Sequence, residues 1–158
     1  MFKLLCAATL TIVIALPLIA GQPETKAGDS PKVKVTLVVI LASEEAGEID
    51  ARLKQVAEEI QKHHPQFKSF KLKSMASRSL GEKEKANFAL VEMKTVDIVV
   101  KQRADKDNRV ELAVTPPEQG EIVYRSTCGK FLPIVTRHQT KERERLILAI
   151  RVQPCNGE

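Results

Sequence analysis

The apolar stretch at residues 33–42 predicts a strand that is buried on both faces. Residues 33–42 are apolar on both parities apart from Lys34 and Thr36. Because side chains alternate between the two faces of a strand, this pattern is typical of a central strand that is covered on both sides. Residues 146–150 are apolar at every position and predict a second central strand.

Residues 47–63 show instead the period of an amphipathic helix. Its apolar stripe consists of Ile49, Leu53, Val56 and Ile60. Spacings of four, three and four place these residues on one face of a helix, and Pro65 prevents the helix from continuing. A single helix in a β-rich chain needs a sheet to cover such a stripe, so we expect it to pack on the sheet.

From residue 67 onward the apolar residues recur with a period of two. Strands are predicted at about 67–75, 88–93, 96–103, 109–115, 121–127, 131–138 and 146–153. The turn-rich separators at 104–108, 116–120, 128–130 and 140–145 are short enough for hairpins. The order predicts an α+β fold, β-α-β(n), with about six to eight strands in a mainly antiparallel sheet and one amphipathic helix packed on it.

The composition is that of one ordinary globular domain. The chain has 158 residues, of which 43% are hydrophobic and 28% are charged, and its mean hydropathy is -0.17. These values argue against a disordered chain and against a membrane protein with many spans. We expect a single globular domain over residues 32–158, preceded by a flexible tether over 21–31 that is rich in glycine, proline and small polar residues.

Residues 1–20 have the layout of a secretory signal peptide. Lys3 gives a short basic start, and the seventeen residues 4–20 carry no charge. We therefore expect cleavage after position 20 or 21 and an exported protein, whether periplasmic, extracellular or envelope-associated. The residue three before the cut would be Leu18 or Ile19, which is large for a cleavage site, and 4–20 reaches the lower length limit of a membrane span. An uncleaved membrane anchor is the alternative.

Removal of residues 1–20 lowers the net charge from +5 to +4 and leaves two of the three cysteines, Cys128 and Cys155. An even pair of cysteines in an exported chain predicts a disulfide bond. The alternative is a nucleophilic Cys128, which lies in the same C-terminal region as His138. The sequence has no CxxC pair and no cysteine-protease signature to support that alternative.

The patterns of known metal, phosphate and catalytic sites are missing from the sequence. His63 and His64 are adjacent, so on a helix they diverge by about 100 degrees and do not face one ion. The acidic stretch 104–108 resembles the start of a calcium loop, but Val110 stands where glycine is required and Pro116 where the last glutamate belongs. No GxSxG, SxxK, GxxxxGK[ST] or GxGxxG motif is present. We expect no metal site and no cofactor.

The basic interval, residues 62–78, supplies the one positive indication of binding. It contains no acidic residue, and its charged members are Lys62, Lys68, Lys71, Lys73 and Arg78. Clustered cations attract anionic surfaces, so these residues form a candidate anion-binding face. The alternative is a solvated face, because Phe70 and Leu72 alternate with the lysines and would enter the core.

Together these features predict an exported, non-enzymatic binding or scaffolding module of the cell envelope or extracellular space. We expect an envelope protein or an anionic surface component as its partner, rather than nucleic acid. Membrane attachment is expected only if residues 4–20 stay uncleaved. One alternative is an unrecognised hydrolase that uses Cys128 or a carboxylate. Another is a membrane-anchored subunit of an envelope assembly.

Overall fold

The computed structural model describes residues 32–154, which form eight strands in two antiparallel sheets and one short helix, broadly an α+β fold. The strands are β1 (Val33–Ser43), β2 (Ser69–Leu80), β3 (Lys85–Ala89), β4 (Thr95–Gln102), β5 (Arg109–Thr115), β6 (Ile122–Thr127), β7 (Phe131–Gln139) and β8 (Arg145–Pro154). Helix α1 (Lys54–His63) lies between β1 and β2. The predicted signal peptide, the tether and Cys155 lie outside the described residues.

Sheet A has the strand order β2-β1-β8-β7, with β1 and β8 at its centre. The prediction that these two strands are central is confirmed, and both are buried on both faces. One face of β1, represented by Val35 and Val39, packs against the second sheet. The other face, represented by Val38 and Ile40, packs against α1. Sheet A is therefore the middle layer between the helix and the second sheet.

Sheet B has the order β3-β4-β5-β6 and packs its inner face against sheet A. The sequence predicted a single sheet, and this was wrong. The hairpin predicted at 128–130 was also wrong, because β6 belongs to sheet B and β7 to sheet A. Cross-strand pairs such as Lys85 with Asp97 and Arg125 with Glu111 lie on the outer side of sheet B. These exposed ion pairs are typical of a solvated sheet face.

The helix begins later than predicted. Residues 47–50 are not helical, and a 3-10 turn over Ala51–Leu53 precedes α1. Asp50 caps this turn, since its Oδ1 accepts a hydrogen bond from the backbone N–H of Arg52 at 3.0 Å. Ile49 forms an isolated parallel bridge with Phe70 and is 40% exposed, so it is not part of the buried stripe.

The strand predicted at 88–93 also ends earlier than expected. β3 stops at Ala89, and a 3-10 turn over Val91–Met93 follows. Within that turn Glu92 and Met93 have φ values of 53 and 56 degrees, a left-handed conformation that interrupts a strand. Among residues 32–154 there is no helix long and apolar enough to cross a membrane.

Candidate functional site

The free side of β2 is the candidate functional site. β2 is an edge strand of sheet A, and within the described residues its partner strand is β1. At one end the free side is covered, because Phe70 exchanges backbone hydrogen bonds with Glu48 and Asp50 at 3.2 and 3.0 Å. Residues 74–79 are exposed, and they end at the buried Leu80. We call residues 74–78 the open edge.

A β-bulge separates the covered end of β2 from the open edge. Leu72 lies opposite Ile40 of β1 and Ser74 lies opposite Val39, so Lys73 is an extra residue in β2. Bulges and lysines are devices by which natural proteins discourage pairing at a sheet edge. Lys73 combines both features, because it is a lysine and the extra residue of the bulge. Beyond it the register with β1 is regular as far as Leu80.

Residues 74–77 of the open edge carry uncharged side chains, and the cations Lys73 and Arg78 flank them. Residues 74–77 read Ser-Met-Ala-Ser, and Met75 is 56% exposed. Ser77 shares a hydrogen bond of 2.9 Å with Thr36, which fixes the strand to β1. The guanidinium of Arg78 lies 5.7 Å from the centre of the Phe88 ring, a cation–π contact that joins β2 to sheet B.

The five basic residues singled out in the sequence do not form one uniform surface. Lys62 pairs with Glu59 at 2.6 Å and Lys71 pairs with Glu144 at 2.7 Å. Hydrogen bonds to these carboxylates raise the pKa of both lysines. The structure gives no ion pair to the other three residues, Lys68, Lys73 and Arg78, within 32–154. The unneutralised charge therefore lies along β2, and anion binding by the full set stays a prediction.

The aromatic residues of the basic interval enter the core. Phe67 is 4% exposed and Phe70 is fully buried. Their ring centres lie 6.5 Å apart in an edge-to-face arrangement within the cluster beneath α1. The interpretation of Phe70 as a core residue is confirmed, and these rings are not available to stack on a ligand.

His138 forms a second polar cluster that sequence reasoning missed. It is 6% exposed at the end of β7, and its Nε2 and Nδ1 lie 3.0 Å from Glu92 Oε2 and 3.3 Å from Glu118 Oε1. Both glutamates come from loops of sheet B and have left-handed φ values of 53 and 62 degrees. Lys94 Nζ donates to Glu118 Oε1 at 3.0 Å, and the Lys141 backbone N–H donates to Glu92 Oε1 at 3.2 Å.

This cluster ties the two sheets together. The pKa of Glu92 is lowered by the hydrogen bond from the backbone of Lys141 and then by His138. The pKa of Glu118 is lowered by Lys94 and then by His138. Because both ring nitrogens of His138 contact glutamates from loops of sheet B, the imidazole links β7 to those loops.

The lowered pKa values of Glu92 and Glu118 predict acid sensitivity. The stability that these carboxylates contribute is present above the ordinary glutamate pKa of about 4.3 and is lost as the pH falls through their lowered values. We expect Glu92→Gln/Glu118→Gln protein to be less stable than wild type at pH 7. Between pH 5 and 3 its urea midpoint should fall less steeply than that of wild type.

Urea unfolding at a series of pH values measures this effect. Glu58→Gln, which alters an exposed glutamate on α1, is the matched control and should follow the wild-type curve. Parallel pH curves for the double variant and wild type would contradict the assignment of acid sensitivity to this cluster.

Cys128 has the properties of a structural cysteine. It is half-buried and packs against the core between the sheets. Burial, and then the negative charge of Asp105, raise the pKa of its thiol, whereas a nucleophilic cysteine needs a lowered pKa. Cys155 lies outside the described residues, so the pairing of Cys128 with Cys155 stays a prediction.

The residues considered for metal binding do not converge in the structure. Among residues 32–154 no group of three or more His, Cys, Asp and Glu could hold a metal ion. Asp105 Oδ1 accepts hydrogen bonds from the backbone N–H groups of Asp107 and Arg109, both at 2.9 Å. This is an Asx-type turn between β4 and β5, so the acidic stretch at 104–108 closes a hairpin.

Comparison with known proteins adds no family. No protein-family model matches the chain, and neither a curated protein nor a solved structure matches it. Its function must therefore be argued from its own surface.

Proposed function

We propose that this protein is an exported, non-enzymatic binding or scaffolding module that receives an extended segment of a partner protein along its open edge. The observation that carries the proposal is the regular and exposed stretch of β2 from residue 74 to 78. Every second backbone N–H and C=O of such a strand faces away from its partner strand. An extended peptide can satisfy these groups by becoming the next strand of sheet A.

The other sheet edges are less suited to this role. β7, the opposite edge of sheet A, contains Pro133, which has no N–H to donate, and its register with β8 shifts between Val135 and Gln139. In sheet B, β3 has five residues and β6 has six. β2 has 12 residues, and residues 74–78 form its open edge. The longest edge strand of the described chain is therefore β2.

Charge complementarity selects an acidic segment as the occupant. Lys73 and Arg78 stand on either side of the uncharged centre, and there is no acidic residue between 62 and 78. A partner strand with a carboxylate near each end and small or β-branched residues between them would pair opposite charges across the strands. A second copy of this chain fits less well. Antiparallel pairing centred between Met75 and Ala76 would place Lys73 opposite Arg78 of that copy.

The hydrolase alternative receives no support from the site, because the raised pKa of Cys128 disfavours a thiolate. A membrane-anchored assembly subunit would use the same open edge. Export, and cleavage or retention of residues 4–20, are proposals taken from the sequence.

A synthetic strand tests the proposal directly. The probe is an acetylated hexapeptide with glutamate at each end and alternating threonine and valine between them, and its control carries lysine at each end. We expect the acidic probe to perturb backbone amide signals of residues 74–78 and to slow hydrogen exchange at alternate residues there. We also expect its affinity to fall with added salt and to exceed that of the lysine probe by about tenfold, as two cross-strand charge pairs allow.

A charge-reversed variant sharpens this test. Lys73→Glu/Arg78→Glu protein should prefer the lysine probe, whereas Lys101→Glu, which alters an ion-paired residue of sheet B, should behave as wild type. Signals that shift elsewhere, or equal binding of both probes to wild type and to the charge-reversed protein, would refute the proposal.

A further inference from the structure

Helix α1 and the start of β7 border a groove that no feature of the sequence indicated. The cavity has a volume of about 520 Å³, which lies within the range of small-molecule sites, roughly 300 to 1,000 Å³. Val56 on α1 and Phe131, Leu132 and Pro133 on β7 supply apolar walls. Arg151 of β8 also lines the groove.

Arg151 lies at a position where its neighbours on the same face are apolar. Ile147 and Ala149 belong to the cluster beneath α1, and Arg151 follows with the same strand parity. Its guanidinium carbon lies 4.9 Å from the centre of the Phe131 ring. Its Nε is buried without a hydrogen-bond partner. A buried N–H without an acceptor is rare in folded proteins and calls for an explanation.

The charge around the groove is positive. Glu59 is the acidic residue of its lining. Its carboxylate accepts a hydrogen bond from Lys62 Nζ at 2.6 Å. Lys130 lines the groove and lies close enough for its charge to contribute to the lowered pKa of Glu59, after the larger effect of Lys62. Arg151 and Lys130 thus supply cationic charge that no carboxylate of the described residues pairs with.

We infer that this groove binds a carboxylate carried on a flat, apolar group. The terminal nitrogens of Arg151 would hold both carboxylate oxygens in a bidentate pair, a geometry that a planar guanidinium provides and an ammonium does not. The stacking of Arg151 on Phe131 fixes the orientation of that plane. Val56 and Pro133 contact the apolar body of the ligand. This site is separate from the open edge, so its test does not depend on the partner proposed above.

Benzoate is the probe, with benzamide as its neutral isostere and phenyl phosphate as an anion of different shape. In an NMR titration of the full mature chain we expect benzoate to shift the Gly129 and Leu132 amides and the Nε–H of Arg151. A fragment of this size should bind in the millimolar range. Benzamide should bind at least tenfold more weakly, since it cannot accept charge-assisted bonds at both positions.

Arg151→Gln should weaken benzoate binding by at least about tenfold, while Arg125→Gln, which alters an exposed arginine of sheet B, should leave it unchanged. Arg151→Lys keeps the charge and is the variant to test if Arg151→Gln does not fold. It should lose part of the affinity, because the bidentate geometry is lost. Equal binding of benzoate to wild type and to both Arg151 variants would overturn the inference. Equal binding of benzamide, or tighter binding of phenyl phosphate than of benzoate, would also overturn it.

Discussion

Replacing Phe70 by alanine is expected to lower the free energy of unfolding by about 3 to 5 kcal/mol, the range seen for aromatic residues cut back in a closed core. Phe70 has no exposed surface and packs in the cluster between sheet A and α1. Its backbone also holds Glu48 and Asp50, the residues that lead into the capped turn before the helix. The substitution therefore leaves a cavity at the point where the helix is joined to the sheet.

The matched control for this prediction is Met75→Ala on the same strand. Met75 is 56% exposed, so its truncation should change stability by no more than about 0.5 kcal/mol. Urea unfolding followed by far-ultraviolet circular dichroism gives both free energies. A loss of less than about 1.5 kcal/mol for Phe70→Ala, or equal losses for the two variants, would mean that the helix does not depend on this contact.

The two-sided apolar pattern of β1 and β8 was sufficient to place both strands at the centre of a sheet. Such a pattern is stable only where both faces are covered, and here α1 covers one face and sheet B the other. The period-two pattern of β4 and β5 predicted strands with one buried face. It could not say what covers that face, because alternation records burial and not the identity of the neighbour.

The division into two sheets depends on connections whose geometry a single sequence does not reveal. β2 and β3 are separated by four residues, a length that also suits a hairpin. In the structure the Lys83 N–H donates to the carbonyl of Val100 at 2.6 Å, and the Val100 N–H donates to the carbonyl of Glu84 at 3.3 Å. The residues that follow β2 thus pair directly with β4. Tertiary pairing, rather than the residues of the turn, decides the topology.

The polar groups at inward positions were the signal that sequence reasoning could have used. His138 has the same parity as the buried Ile134 and Thr136 of β7, and Arg151 has the same parity as Ile147 and Ala149 of β8. A titratable residue in a buried row needs a polar partner or a function. Its partners could not be predicted, because Glu92 and Glu118 lie 46 and 20 residues away along the chain.

The second large effect concerns the predicted bond between Cys128 and Cys155. The Gly129 N–H donates to the carbonyl of Val152 at 2.7 Å. Gly129 directly follows Cys128, and Val152 precedes Cys155 by three residues. Three residues span at most about 10 Å, and a disulfide needs Cα atoms about 4.4 to 6.8 Å apart. The end of β8 therefore comes within reach of Cys128.

We expect loss of this disulfide to lower the free energy of unfolding by about 3 to 4 kcal/mol in the chain-entropy model. Cys128→Ser/Cys155→Ser protein should have the same urea midpoint as reduced wild type, and reduction should leave the midpoint of the variant unchanged.

Because burial and the negative charge of Asp105 raise the pKa of Cys128, thiols are counted after unfolding in denaturant at alkaline pH. Two free thiols per mature chain purified from an oxidising compartment, or a reduced protein as stable as the oxidised one, would contradict the prediction. Peptide mapping without reductant would then show no fragment that joins the 128 and 155 segments.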